Sequence, residues 1–238
     1  MGSTIYSAFK QTATRWPTHD FMMVLPETAA VYGIEATTLS YAQALLEIDR
    51  LSALYEQAGY GHGHRVGMLL ENRPVFFLHW LALNRLGVSI VPINPDLRAA
   101  ELEYLIGHSE MLLAVATPNR HADLAAAAAQ AQQPLALITP DQTPPLASQA
   151  PRCAGQTLSL ATECALMYTS GTTGRPKGCM LPNEYFHDAG DWYASIGGLA
   201  TLHEGTERML TPLPLFHMNA LAFSAMAMIK TGGCLIVL

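Results

Sequence analysis

The chain has 238 residues, half of them hydrophobic and only 13% charged, with 13 basic against 19 acidic side chains and a formal net charge of −6. So few cations cannot form the broad basic face that a nucleic-acid backbone demands, which excludes nucleic acid as a partner. A mean hydropathy of +0.18 points to apolar surface that meets a partner or a further segment, but the longest uncharged apolar run, Ala220 to Ile229, is far short of the roughly 20 residues of a spanning helix.

Met1 to Tyr6 carries neither the basic stretch nor the apolar block of a secretory signal, so a cytoplasmic location is expected. Cys153, Cys164, Cys179 and Cys234 form no C-x-x-C pair and read as four reduced thiols.

Helix and strand signals alternate from end to end, predicting an α/β fold of mostly parallel sheets flanked by helices. An N-terminal helix ends near Trp16-Pro17, and Met22 to Leu25 and Ala36 to Leu39 read as strands. Ser40 and Gln43 form a capping box ahead of Tyr41, Ala44, Leu45, Ile48, Leu51, Leu54 and Tyr55, which recur at helical spacing until Gly59. Arg65 to Leu70 reads as a buried strand, Asn72 as the cap of a helix running through Trp80 to Leu86, and Val88 to Val91 as the next strand. Asn94-Pro95 predicts a turn, followed by helix Ala99 to Ser109, strand Met111 to Ala116, helix His121 to Ala131 and strand Leu135 to Thr139.

Pro140, Pro144, Pro145 and Pro151 make residues 140–160 a linker or exposed loop, which divides the chain into a first α/β subdomain over 1–160 and the start of a second over 161–238. Beyond it, the pattern predicts strand Ala165 to Thr169, an extended run Cys179 to Leu181, a helix opened by Asn183, a strand near Met209, a helix from about Asn219 to Lys230, and strand Cys234 to Leu238. An apolar strand at a terminus would leave its backbone unpaired, so a truncated piece of a longer polypeptide is expected.

Chemistry concentrates in Tyr168-Thr169-Ser170-Gly171-Thr172-Thr173-Gly174-Arg175-Pro176-Lys177-Gly178. Glycine allows positive φ and close approach of N–H groups to anionic oxygens, the hydroxyls add donors, and lysine adds a compact cation. The composition suits a polyphosphate, with Thr169, Ser170, Gly171, Thr172, Thr173, Gly174 and Lys177 as its ligands. A Walker loop is excluded because Pro176 precedes Lys177 and Gly178 follows it.

At every fixed position this stretch resembles the signature of the adenylate-forming enzymes: acyl-CoA synthetases, peptide-synthetase adenylation domains and luciferases. The resemblance extends through Leu39-Ser40-Tyr41, Val66 to Asn72, Gly87 to Pro95 and Glu101 to Ser109. Val91-Pro92-Ile93-Asn94-Pro95 is closer to acyl-CoA synthetase wording, since peptide synthetases usually carry Asp where Asn94 stands. Pro212-Leu213-Pro214-Leu215-Phe216-His217-Met218-Asn219 resembles the family segment bordering the carboxylate site. The resemblance implies the N-terminal part of the adenylate-forming fold, with ATP, Mg²⁺ and coenzyme A as cofactor and co-substrates and a small carboxylic acid as substrate. It also implies Lys177 and His217 as catalytic residues, Phe216, His217, Met218 and Asn219 as the acyl pocket, and Thr172 or Thr173 beside the metal. Two alternatives stay open: an amino-acid adenylation domain loading a carrier protein, and a non-catalytic nucleotide-binding module. A homo-oligomer is also left open.

The family's later aromatic-Gly-x-Thr-Glu and Thr-Gly-Asp segments and its C-terminal lysine have no counterpart here. Gly205-Thr206-Glu207 and Ala189-Gly190-Asp191 lie too close to the loop to serve, so these 238 residues are not expected to turn over alone. His62-Gly63-His64 lacks a carboxylate or thiol to complete a metal site and reads as a turn. Asp188 and Asp191 read as solvated helix residues, and no Gly-x-Ser-x-Gly elbow occurs.

Overall fold

The computed structural model describes residues 4–169 and 176–238. Thr4 opens helix α1 (Ile5–Arg15) through a capping box with Ser7. Strand β1 (Asp20–Val24) leads to a short helix α2 (Pro26–Tyr32), after which β2 (Thr37–Ser40) returns antiparallel to β1. Reciprocal Ser40/Gln43 bonds of 2.9 and 3.2 Å start helix α3 (Tyr41–Gln57), as the capping-box spacing predicts. The predicted alternation then continues through β3 (Arg65–Leu69), α4 (Pro74–Arg85), β4 (Ser89–Pro92), α5 (Ala99–Ser109), β5 (Leu113–Ala116), α6 (His121–Gln130) and β6 (Ala136–Ile138). Strands β7 (Glu163–Thr169) and β8 (Lys177–Pro182), helix α7 (Asn183–Ser195), strand β9 (Arg208–Thr211), helix α8 (Met226–Thr231) and strand β10 (Cys234–Val237) follow.

The strands form two sheets, β6-β5-β3-β4-β7-β8 and β2-β1-β10-β9. Each is parallel except for one antiparallel edge strand, β8 in the first and β2 in the second. Strand β10 lies between β1 and β9 and is in register with both, so the final strand is an interior one, not the unpaired edge inferred from the sequence. Both sheets draw strands from either side of residues 140–160, β7 pairing with β4 and β10 with β1.

Alternation along the strands decides what each face covers. Val66, Met68, Leu113, Val115, Ala165 and Met167 join the core that also contains helices α1, α3, α4, α7 and α8 and the inner residues of the second sheet. Leu69, Val91, Ala114, Ala116 and Leu166 face the opposite way and pack with Leu102, Leu105 and Ile106 of α5 and Leu124 and Ala127 of α6. Helix α4 sits at the centre and is buried on nearly every side, Phe76, Phe77, Trp80 and Leu81 together with the polar His79 and Asn84.

Three local expectations change. Asn72 caps no helix: Arg73 occupies that position ahead of Pro74, and the buried Asn72 side chain bonds to distant backbone. Asn183 begins α7, but its amide is buried between helices and does not cap the turn. The helix read over Asn219 to Lys230 is π-helical across Asn219–Ala225 before becoming α8.

Residues 140–160 hold no regular element, yet they are pinned to the body. Ala147 N–H donates to the Ala58 carbonyl at 2.8 Å and Cys153 N–H to the His62 carbonyl at 3.0 Å. Gly63 turns with φ 92°, and among the described residues no group of three His, Cys, Asp or Glu side chains is placed to hold a metal. No helix there is long and apolar enough to cross a membrane.

Candidate functional site

Strands β7 and β8 are the two arms of an antiparallel hairpin in which Tyr168 pairs with Gly178 and Thr169 with Lys177. The described ends of the signature stretch are therefore two antiparallel strands, unlike the strand and helix that flank a Walker motif. Ser170, Gly171, Thr172, Thr173 and Gly174, and with them both metal-side candidates, lie outside the described residues. What is described is the mouth: Thr169 and Lys177 are both exposed, and Lys177 has no ion-pair partner among the described residues.

Gly178 has a different role from a turn glycine. A Cβ there would meet Leu166 Cδ1 at 3.0 Å and the Tyr168 ring at 3.4 Å, so the missing side chain lets the tyrosine lie across the hairpin. Tyr168 is half-buried, and burial raises its phenol well above the ordinary range, so it remains protonated.

Beside the mouth lies a crevice of about 140 Å³ lined by Pro92 and Asn94 past β4, Leu97, Glu101 and Leu105 on and before α5, Tyr168, Thr169, Pro176, Phe216 and His217. It opens at the carboxyl ends of β4 and β7, where parallel α/β sheets place their ligands. Of the four proposed acyl-pocket residues, Phe216 and His217 line this crevice, their rings 4.5 Å apart. Met218 and Asn219 do not: the Met218 sulfur meets the Tyr185 hydroxyl on α7, and Asn219 is exposed at the start of the π-helical turn.

Sequence reasoning missed two supports of the site. Asn72, just past β3, accepts the Leu215 N–H at 2.9 Å and donates to the carbonyls of Leu213 (3.1 Å) and Leu238 (2.8 Å), fixing the segment that carries Phe216 and His217. Its position immediately after a buried strand, where ligands gather in this architecture, was the available signal. Arg65 grips Glu163 with two bonds of 2.8 and 2.9 Å, tying β3 to the base of β7. Burial raises the Glu163 carboxyl, but the Arg65 guanidinium and the Ser89 hydroxyl together more than offset this, and the net shift is downward.

The look-alike motifs are structural. Gly190 lets α7 approach Met226, whose Cβ lies 2.7 Å from where a Gly190 Cβ would be, and Asp191 pairs with Lys230 at 2.9 Å. Gly205 turns the chain before β9 with φ 76°, and Glu207 accepts the His203 N–H at 2.8 Å.

The model of the AMP-binding enzyme family matches residues 10–238. The chain belongs to that family. A feruloyl-CoA synthase of an Amycolatopsis species is 32% identical over 226 residues, covering 93% of this chain and 43% of the relative. A crotonobetaine/carnitine–CoA ligase of Salmonella paratyphi A is 28% identical over 215 residues, covering 84% of this chain and 40% of the relative. Among solved structures, a Mycobacterium tuberculosis fatty acyl CoA synthetase superposes with a TM-score of 0.78 at 25% identity, over 99% of this chain and 44% of its own. ATP-bound MatB from Rhodopseudomonas palustris shares the fold, with a TM-score of 0.76 at 22% identity, over 100% of this chain and 45% of its own. This AMP-binding chain thus spans less than half the length of the curated relatives it matches.

Proposed function

We propose that this chain is the first part of an AMP-forming acid–thiol ligase that activates a carboxylate with ATP and transfers the acyl group to coenzyme A. The observation that carries the reading is the hairpin whose described ends are Thr169 and Lys177, the lysine without an ion-pair partner among the described residues, at the mouth of a crevice that also holds His217.

The residues present suit a magnesium nucleotide. An exposed ammonium and a hydroxyl at the end of a buried strand offer charge and donors to a polyphosphate. Mg²⁺, when bound, would neutralise phosphate charge, with Thr172 or Thr173 as the hydroxyl beside it. In the proposed chemistry a carboxylate oxygen attacks the α-phosphorus, the bond to the β-phosphate oxygen breaks, and pyrophosphate leaves. A thiolate then attacks the acyl carbon, the C–O bond breaks, and AMP leaves while the thiol proton passes to solvent. Lys177 stabilises charge on the departing pyrophosphate, and Thr169, Ser170, Gly171, Thr172, Thr173 and Gly174 position the phosphates. His217 and Phe216 border the acid, and Met218 and Asn219, which do not line the crevice, are not assigned to the pocket.

Coenzyme A is favoured over a carrier protein as acceptor by the Asn94-Pro95 wording and by relatives that are named CoA synthases and ligases. A cytoplasmic site of action belongs to the same proposal.

The test is carboxylate-dependent ATP–pyrophosphate exchange by the complete polypeptide, over aromatic, aliphatic and betaine acids, followed by thioester formation with coenzyme A or a phosphopantetheinyl carrier. Exchange with at least one acid and transfer to coenzyme A supports the reading. Transfer to the carrier alone moves it to the adenylation-domain alternative, and absence of exchange overturns it.

A further inference from the structure

We infer that His108 is a positioning residue for the adenylation chemistry proposed above, on which this inference rests: it holds α5 against the end of β7 and so sets the crevice wall opposite Thr169. The Tyr168 hydroxyl and His108 Nδ1 are hydrogen-bonded at 2.7 Å. Tyr104 stacks on the imidazole from within α5, ring centroids 5.3 Å apart at 28°. Tyr168 immediately precedes Thr169, and its ring lies over Gly178 on the facing strand, so the tyrosine is fixed to the hairpin and the bond binds helix to strand.

The next residue of α5 is held as well. The Ser109 carbonyl accepts from Arg65 at 3.1 Å, and the same guanidinium grips Glu163 at the beginning of β7. The last turn of α5 is therefore tied to both ends of β7, directly through Tyr168 and indirectly through Arg65 and Glu163. A helix held at its end presents its earlier turns at a fixed height, and those turns carry Glu101 and Leu105 into the crevice beside Thr169, Pro176 and His217. Glu101 is itself committed to the Arg98 N–H at 2.9 Å. His108 does not line the crevice, so it acts through Tyr168 and α5 without touching substrate.

The test compares His108→Ala, Tyr168→Phe, the double variant and His108→Asn in the complete polypeptide. Asparagine places an amide near the position of Nδ1 and serves as the conservative rescue. Each single variant is expected to lower kcat for exchange about tenfold with the KM for ATP changed by less than about threefold, because alignment is lost while the phosphate grip remains. The double variant is expected to lose no more than either single one, and His108→Asn to recover at least about half of kcat. Melting temperatures stay within about 3 °C of the parent, as for a change outside the core. In the 238-residue chain itself, ¹⁵N-histidine spectra are expected to show the His108 Nδ1 resonance move on Tyr168→Phe. Unchanged kcat, additive losses, losses that track a fall in melting temperature, or an unmoved Nδ1 resonance would each overturn the inference while leaving the ligase reading intact. A parent without exchange activity overturns both.

Discussion

Asn72 Oδ1 accepts the Leu215 N–H at 2.9 Å across 143 residues of chain, and this bond joins the end of a central strand to the segment bearing Phe216 and His217. Asn72 is 6% exposed and its amide also reaches the carbonyls of Leu213 and Leu238. Asn72→Ala removes three hydrogen bonds and takes their partner from the Leu215 N–H and the Leu213 carbonyl, while the Leu238 carbonyl keeps the Tyr32 hydroxyl, at an expected cost of about 2–3 kcal/mol in urea unfolding. A change below about 0.5 kcal/mol would show that the segment is held by packing instead.

Asn183 and Asn84 complete the first turn of α1. Asn183 Oδ1 accepts the Ile5 N–H at 3.1 Å and the Asn84 amide at 2.9 Å, while Asn84 Oδ1 accepts the Tyr6 N–H at 3.0 Å. These N–H groups have no partner within the helix, and both asparagines are fully buried. Asn183→Leu should cost about 3 kcal/mol, and in a double-mutant cycle with Asn84→Leu the two losses should fall short of adding. Strict additivity would contradict the shared network.

His79 supplies a pH dependence of stability. It is fully buried, its Nε2–H donating to the Pro140 carbonyl at 3.0 Å and its Nδ1 accepting from the Tyr55 hydroxyl at 2.7 Å. Burial pushes its pKa down from 6.5 to about 4, against a smaller upward pull from the Pro140 carbonyl and Glu47. Because the folded value is the lower one, the full stability is present above pH 6.5 and is lost as pH falls from there toward 4. The whole window is worth about 3 kcal/mol, of which about 2 should be gone near pH 5. Burial lowers His64 and His187 too, so their contributions have the same sign. Urea midpoints near pH 7.5 and near pH 5 should converge in His79→Gln relative to the parent, and an equal drop in both proteins would remove His79 as the source.

Gly190 is a contact between helices. Alanine there would place Cβ 2.7 Å from Met226 Cβ and 3.2 Å from its backbone carbon, so α7 must move away from the start of α8. The expected loss for Gly190→Ala is about 1–3 kcal/mol, opposite to the usual gain from replacing a helical glycine. A stabilised variant, read by thermal unfolding, would mean that the helices are not in close packing.

Much of this fold is written in local pattern. The spacing of Tyr41, Ile48, Leu51 and Tyr55, the Ser40/Gln43 box and the buried apolar run from Arg65 to Leu70 each specify an element from its own residues. Sheet order is not local: nothing within Cys234 to Val237 says that its neighbours are β1 and β9, so a strand that looks like an open end turns out to be central. The same holds for Asn72 and Asn183, whose residue type suggests a helix cap and whose partners lie far away in sequence. At the site, the motif marks a stretch whose described ends, Thr169 and Lys177, pair across two antiparallel strands that the sequence did not announce as partners, and of Pro212 to Asn219 two of the named residues, Phe216 and His217, line the crevice. Which side chains of that segment face inward depends on the turn at Asn219, and that turn is set by packing against α7. His108 and Gly178 gain their meaning only through Tyr168, which touches both.

The most direct test is calorimetric titration of magnesium-ATP into the complete polypeptide and its Lys177→Ala variant. Saturable binding by the parent, weakened at least about tenfold by removal of the lysine in a variant that still folds, is the predicted result. No heat of binding from the parent, or equal affinity in the two proteins, would contradict the assignment of the Thr169–Lys177 hairpin as the polyphosphate grip.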